Sequence, residues 1–277
     1  MGSSDNEDTN GIGSSTAEDE SRLYRSLVPG HRSLLSGPRS LLSDLLDLIF
    51  PPLCHACKCF IARGEKVHLC PACRADFTPI RSPLCTVCGK PFLTEGGMDH
   101  LCGSCLSHPP PFDAARAAFL FQGTVRELIH RYKYNRHIQL RRPLGLLLAE
   151  MLAPDVTKWE ADLLLPVPLH RRRLRKRGFN QAALLVELLA REWRLPLERH
   201  LLQRVRWTEP QVNLPAPARP GNVKGAFALK SGAEVSGKRI ILVDDVFTTG
   251  STIAECSRVL KRAGATAVFA VTLARAG

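Results

Sequence analysis

Eight of the ten cysteines in this chain form four Cys-x2-Cys pairs within 52 residues: Cys54 and Cys57, Cys70 and Cys73, Cys85 and Cys88, Cys102 and Cys105. Twelve residues separate the first pair from the second, and thirteen the third from the fourth. Each pair presents two thiols from one tight turn, and two such turns close a tetrahedron around a zinc ion. The pattern therefore predicts two structural zinc sites of four thiolates each. Too few apolar residues lie between the pairs to build a core, so metal binding would supply much of the segment's folding free energy. Sequential pairing is favoured because each half has its own loop of nearly equal length; an interleaved arrangement stays open. Cys59, His55, His68 and His100 are spare potential ligands and read as bystanders to complete thiolate sets. Cys256 reads as an inert core thiol.

The flanking segments bound the setting. Residues 1–39 read as a disordered tail: the first 21 contain Asp5, Glu7, Asp8, Glu18, Asp19 and Glu20 and no Lys or Arg. Without those six acids the chain carries 38 Lys and Arg against 20 Asp and Glu, a net +18, which suits polyanionic partners. The acidic, polar start lacks the basic and apolar regions of a signal peptide, so a cytoplasmic location is expected, where thiols favour metals over disulfides. Residues 40–53, with Leu41, Leu42, Leu45, Leu46, Leu48 and Ile49 around Asp44 and Asp47, read as a short amphipathic helix stopped by Pro51 and Pro52. It is too short and too interrupted to enter a membrane. Residues 54–108 form the cysteine module, and Pro109 to Pro111 a stiff linker.

From residue 112 to 277 the pattern becomes that of an α/β domain. Val125, Leu128, Ile129 and Tyr132, then Leu144, Leu147, Leu148 and Met151, recur at helical spacing, with Pro143 near a helix start. Residues 163–167, 240–243 and 267–273 are short apolar runs of the kind buried on both faces of a parallel sheet. Helical stretches at 181–193 and 251–262 alternate with them, which predicts a parallel sheet with flanking helices and its own apolar core.

The stretch Ile240-Ile-Leu-Val-Asp-Asp-Val-Phe-Thr-Thr-Gly-Ser-Thr252 carries the chemistry. An apolar strand delivers Asp244 and Asp245 at its carboxyl end, where open α/β sheets bind ligands. The turn Thr248, Thr249, Gly250, Ser251, Thr252 then opens a helix, aiming backbone N–H groups and hydroxyls at a phosphate. Gly250 permits close approach, and the two carboxylates suit the vicinal hydroxyls of a ribose. One helix cap needs one such residue, and six stand here in nine positions. A second strand end leads into Pro168, Leu169 and His170 and then Arg171 to Gly178, six of whose eight residues are Lys or Arg. That density of donors, expected as a positive loop, suits a pyrophosphate. Thr208 to Gly225 is long, strandless and rich in Pro and Gly, the composition of a lid carrying Arg219 and Asn222.

The 240–252 string resembles the phosphoribosyl pyrophosphate motif of type I phosphoribosyltransferases. Taken with Leu45 to Cys57, the four cysteine pairs, Pro166-Val-Pro-Leu-His170, Arg173 and Arg177-Gly-Phe-Asn-Gln181, the chain resembles the ComF family, which joins a double zinc ribbon to a phosphoribosyltransferase domain. The resemblance implies a type I transferase fold, magnesium–pyrophosphate chelation near Pro166 to Arg177, and a link to DNA uptake in bacteria and its partner proteins. The tail lies outside it. Arg173, Arg177 and Arg219 are the catalytic candidates, in a displacement of pyrophosphate by a nitrogen nucleophile that the sequence does not name. Two readings without turnover stand beside it: a sensor of phosphoribosyl pyrophosphate or a related ribose 5-phosphate, and a single-stranded DNA-binding protein. Aromatic content of 6% offers the last no evident stacking platform.

Overall fold

The computed structural model of the chain describes residues 50–62, 66–94, 96–134, 137–208, 215 and 219–277. The expected tail and nearly all of the expected helix at 40–53 lie outside the described residues. In chain order the elements are α1 (Pro71–Ala75), α2 (Gly103–Ser107), β1 (Ala114–Leu120), α3 (Gly123–Tyr134), α4 (Arg141–Trp159), β2 (Leu163–Pro166), α5 (Arg171–Arg177), α6 (Gln181–Trp193), β3 (Leu202–Arg204), α7 (Arg219–Val223), β4 (Phe227–Leu229), β5 (Arg239–Phe247), α8 (Ser251–Arg262) and β6 (Ala267–Arg275).

Four strands form an all-parallel sheet in the order β1-β6-β5-β2, with Val243 opposite Val271 and Leu165 opposite Leu242. Central strands of such a sheet meet helices on both faces, and Ile240, Ile241, Leu242 and Val243 are all fully buried. Alternation along β5 assigns the faces. Ile241 and Val243 pack with residues of α3, α4 and α6, whereas Ile240 and Leu242 pack with Ile253, Cys256 and Leu260 of α8. Trp159 closes the first face by stacking on Phe269 with centroids 4.7 Å apart. The antiparallel pair β3–β4 packs onto the second face.

The cysteine module covers the edge of β1. Ala115 N–H donates to Val87 O at 2.6 Å, Ile80 N–H to Ala118 O at 3.0 Å and Leu120 N–H to Thr78 O at 2.9 Å, so the ladder groups of this edge strand find partners. Gly89 is required at the contact, because a Cβ there would stand 2.4 Å from Ala115 O. Cys54, Leu69, Cys70 and Phe77 share one buried cluster with Phe119, Val125 and Leu128. The α/β body thus does not keep its core to itself, contrary to the expectation from sequence: the ribbon's few apolar residues are buried against the sheet.

One further expectation is corrected. The basic run is a helix, α5, capped by His170, whose side chain accepts from Arg172 N–H, and closed by Gly178 in the left-handed region. The expected lid Thr208 to Gly225 holds no strand among its described residues and ends in a helical turn, α7; positions 209–214 and 216–218 of it lie outside the described residues.

Candidate functional site

The β5 ladder brings Asp244 and Asp245 to the carboxyl edge of the sheet, one strand away from the loop that β2 feeds into α5. Asp245 is buried, and Lys133 of α3 reaches its Oδ1 at 2.9 Å. Asp244 accepts the Asp245 N–H at 2.9 Å. Burial, and then the charge of Asp245, push the Asp244 carboxyl up to about 7, with Lys133 opposing the rise. A pair so placed holds one proton near neutrality and offers charged acceptors above it.

Beyond Phe247 the chain turns through Thr248 and Thr249 into Gly250, which has φ 75° and whose added Cβ would stand 2.5 Å from the Phe247 ring. Only glycine fits that position. Thr249 Oγ1 and Ser251 Oγ lie 2.7 Å apart, and α8 starts at Ser251 with a C-terminal turn holding Lys261 and Arg262. Thr248, Gly250, Ser251 and Thr252 line one small hollow with Asp244, so that carboxyl and the helix start face the same space. The turn also opens onto a cleft of 1070 Å³ that is lined too by Lys90, His108, Lys224, Glu255, Arg258 and Arg275.

On the neighbouring strand end, Arg173 Nη2 donates to Thr208 O at 3.1 Å and its guanidinium lies 5.4 Å from the Trp207 ring centre. Arg177 donates to Gln181 Oε1 at 2.7 Å and lies over Tyr134. Arg204 of β3 is buried, donates to Thr208 Oγ1 and leaves its Nε without a partner among the described residues. Burial, reinforced by the charge of Arg173, lowers Arg204 to about 10. The structure therefore brings Asp244, Asp245, the turn and the Pro168 to Arg177 segment to one sheet edge. Arg219 sits on α7, across from α8, where Gly225 N–H donates to Glu255 Oε1 at 2.7 Å.

The thiols fall into two groups. Cys85, Cys88, Cys102 and Cys105 have sulfurs within 4.8 Å of one another, and so do Cys54, Cys57, Cys59 and Cys70. A tetrahedron with Zn–S bonds of about 2.3 Å has S–S edges of about 3.8 Å. The Cys88–Cys102 and Cys57–Cys70 separations of 3.8 and 3.6 Å fit it. The donor set, all thiol and stabilised by N–H bonds from Cys70 to Cys54 Sγ and from Cys102 to Cys85 Sγ, suits zinc. The groups are sequential halves, as favoured from the loop lengths. Cys59, expected as a bystander, stands inside the first group, while Cys73 adjoins it through its N–H bond to Cys70 Sγ.

Residues 45–106 match the double zinc ribbon domain, and residues 186–277 the phosphoribosyl transferase domain. The DNA utilization protein YhgH of Escherichia coli strain K12 is 37% identical over 232 residues, covering 82% of this chain and 99% of that protein. Competence protein F of Haemophilus influenzae is 33% identical, covering 79% and 97%. The chain belongs to the ComF family. Competence protein ComFC of Streptococcus pneumoniae is a more distant relative at 28% identity, over 78% of this chain and 91% of that one. Among solved structures, the purine phosphoribosyltransferase of Pyrococcus horikoshii aligns at a TM-score of 0.33 and 17% identity, over 48% of this chain and 73% of that one.

In this ComF protein two site residues had no local signal in the sequence. Lys133 reaches Asp245 from a helix 112 positions earlier, and Arg204 lies on a strand of three residues. Neither fits a motif, and only the tertiary fold assembles them. Among the described residues no helix is long and apolar enough to cross a membrane.

Proposed function

We propose that this protein binds phosphoribosyl pyrophosphate, or a related ribose 5-phosphate, with magnesium at the carboxyl edge of the sheet. The observation that carries the reading is the continuity of β5, Asp244, Asp245, the Thr248–Thr252 turn and the start of α8. In that order they supply acceptors for two ribose hydroxyls and donors for a 5-phosphate. The Pro168 to Arg177 segment, with Arg173 and Arg177, supplies positive charge for the pyrophosphate. Magnesium bound with the pyrophosphate near the Pro166 to Arg177 segment would add Lewis-acid stabilisation of the leaving group. A nitrogen nucleophile displacing pyrophosphate would make the protein a phosphoribosyltransferase, and α7, which carries Arg219, lines the same cleft as the turn. The names of the relatives, competence and DNA-utilisation proteins, support a role in handling DNA taken up by the cell.

Calorimetry of the full chain with phosphoribosyl pyrophosphate and magnesium tests the reading. Saturable binding abolished by Asp244→Asn with Asp245→Asn is expected, and undiminished affinity in that double variant would overturn it. Adding candidate bases and following pyrophosphate release then separates a transferase from a sensor.

The 1070 Å³ cleft favours a second reading. Its cations suit the phosphates of a single DNA strand laid between the second ribbon and α8, and affinity would then fall steeply with salt and vary little with sequence. Absence of binding to mixed-sequence oligonucleotides at low salt would remove it.

A further inference from the structure

The two ribbons begin with copies of one knuckle. Cys54 N–H donates to Cys59 O at 2.8 Å, and Cys85 N–H donates to Lys90 O at the same distance. The residue before each acceptor has positive φ, 66° at Lys58 and 69° at Gly89. Leu53 bridges to Phe60 as Leu84 bridges to Pro91. Cys59 is therefore the counterpart of Lys90, a position whose carbonyl closes the knuckle and whose side chain the fold leaves free.

In the second ribbon the gathered sulfurs are those of its two pairs. In the first, the sulfur of Cys59 has joined the group, 3.3 Å from that of Cys57, and Cys73 stands at its margin. Five thiols thus surround a position that a tetrahedral ion fills with four. Cys57 and Cys59 are both exposed, whereas Cys73 is half-buried at the margin of the first core cluster.

We infer that Cys59 is a fifth thiolate of the first zinc site, interchangeable with Cys73 as its fourth ligand. When Cys59 binds, its thiol proton passes to solvent. The displaced Cys73 thiolate takes up a proton, and no electron moves. The second site has no such spare sulfur, so the two ions differ: the first can leave or arrive through a thiolate-assisted step, the second only by losing a ligand outright. This rests on reading both clusters as zinc sites.

The test is zinc content of the full chain by elemental analysis after dialysis against the chelator 4-(2-pyridylazo)resorcinol. If wild type holds no zinc, the zinc reading itself fails. Given about two ions in wild type, Cys59→Ser and Cys73→Ser are each expected to keep both, and the double variant to keep one. Loss of an ion in either single variant alone would overturn interchange: from Cys73→Ser it marks Cys59 as a bystander, and from Cys59→Ser it marks Cys59 as an obligate ligand. Should Cys73→Ser fail to fold, the rate of zinc transfer to the chelator decides. The first ion is expected to leave wild type roughly tenfold faster than it leaves Cys59→Ser, and equal rates would overturn the inference.

Discussion

Asp244→Asn tests the electrostatics of the site because it separates stability from binding. The folded chain holds the Asp244 proton with a pKa of about 7 against an ordinary 3.8. Its contribution to stability is therefore complete below about pH 4 and is lost as pH rises through about 7. Taken whole, that difference is worth about 4 kcal/mol. The open hollow beside the turn screens the charge, so about 2 kcal/mol is the expected cost of ionising Asp244 in place. Asparagine keeps the shape and the acceptor for Asp245 N–H but never ionises. At pH 8.5 the variant should melt higher than wild type by about 4 to 8 °C, whereas at pH 4 the two should coincide. The same change removes a charged acceptor and weakens phosphoribosyl pyrophosphate binding by about 1.5 to 3 kcal/mol for each hydrogen bond lost. Thermal melts at the two pH values, with zinc present, and calorimetry on the same preparations are the assays. A variant no more stable than wild type at pH 8.5, or less stable at both, would refute the claim that burial sets this proton.

Lys133→Met removes the cation 2.9 Å from Asp245. It should raise the pH at which ligand binding is half-maximal by roughly half a unit or more; an unmoved midpoint in calorimetry across pH would show that Lys133 does not act on the pair. Gly250→Ala forces a Cβ against the Phe247 ring at a φ of 75°. It should cost about 1 to 2 kcal/mol for the backbone and about 1 to 3 for the clash, lowering the melting temperature and abolishing inorganic phosphate binding measured by calorimetry. Cys102→Ser should lose one of about two zinc ions and lower the unfolding midpoint of the whole body, because its ribbon is bonded to β1. A body that melts unchanged would mean that the two fold independently.

The parts of the fold set by local pattern were legible. The buried runs of β2, β5 and β6 and the periodicity of α6 and α8 were read from sequence, as was the turn at Gly250. Strand β1 was not, because Ala114-Ala-Arg-Ala-Ala-Phe-Leu120 is rich in a residue that strands disfavour. Its partners, β6 on one side and the ribbons on the other, decide it. The run Arg171 to Arg177 read as a loop because it follows a strand end and has only Leu174 as an apolar residue. The cap at His170, the Arg173 bond to Thr208 O and the stacking on Trp207 hold it helical, and all but the first come from 30 or more residues away. Cys59 is a different case. Its signal was present as a fifth thiol in the first knuckle, and counting complete sets of four concealed it.

The ribbons are physically part of the site rather than an appendage to it. Arg275, at the end of β6, donates to Cys88 O at 2.7 Å and lies 4.5 Å from the centre of the Phe247 ring. That ring in turn fills the space that obliges residue 250 to be glycine. A knuckle carbonyl, a guanidinium, an aromatic ring and the Thr248–Thr252 turn thus form one packed series, and Gly89 sets the knuckle directly on Ala115 of the edge strand. The Cys88 carbonyl keeps its direction only while its thiolate is held in place. The guanidinium bonded to it packs on the Phe247 ring, whose edge abuts the turn, through a contact of the cation–π kind, worth about 0.5 to 2 kcal/mol. Metal at the second ribbon therefore bears on the shape of the Thr248–Thr252 turn through one side chain, Arg275, and the first ribbon, with no equivalent bond to the turn among the described residues, is the one whose proposed ligand exchange would leave it undisturbed.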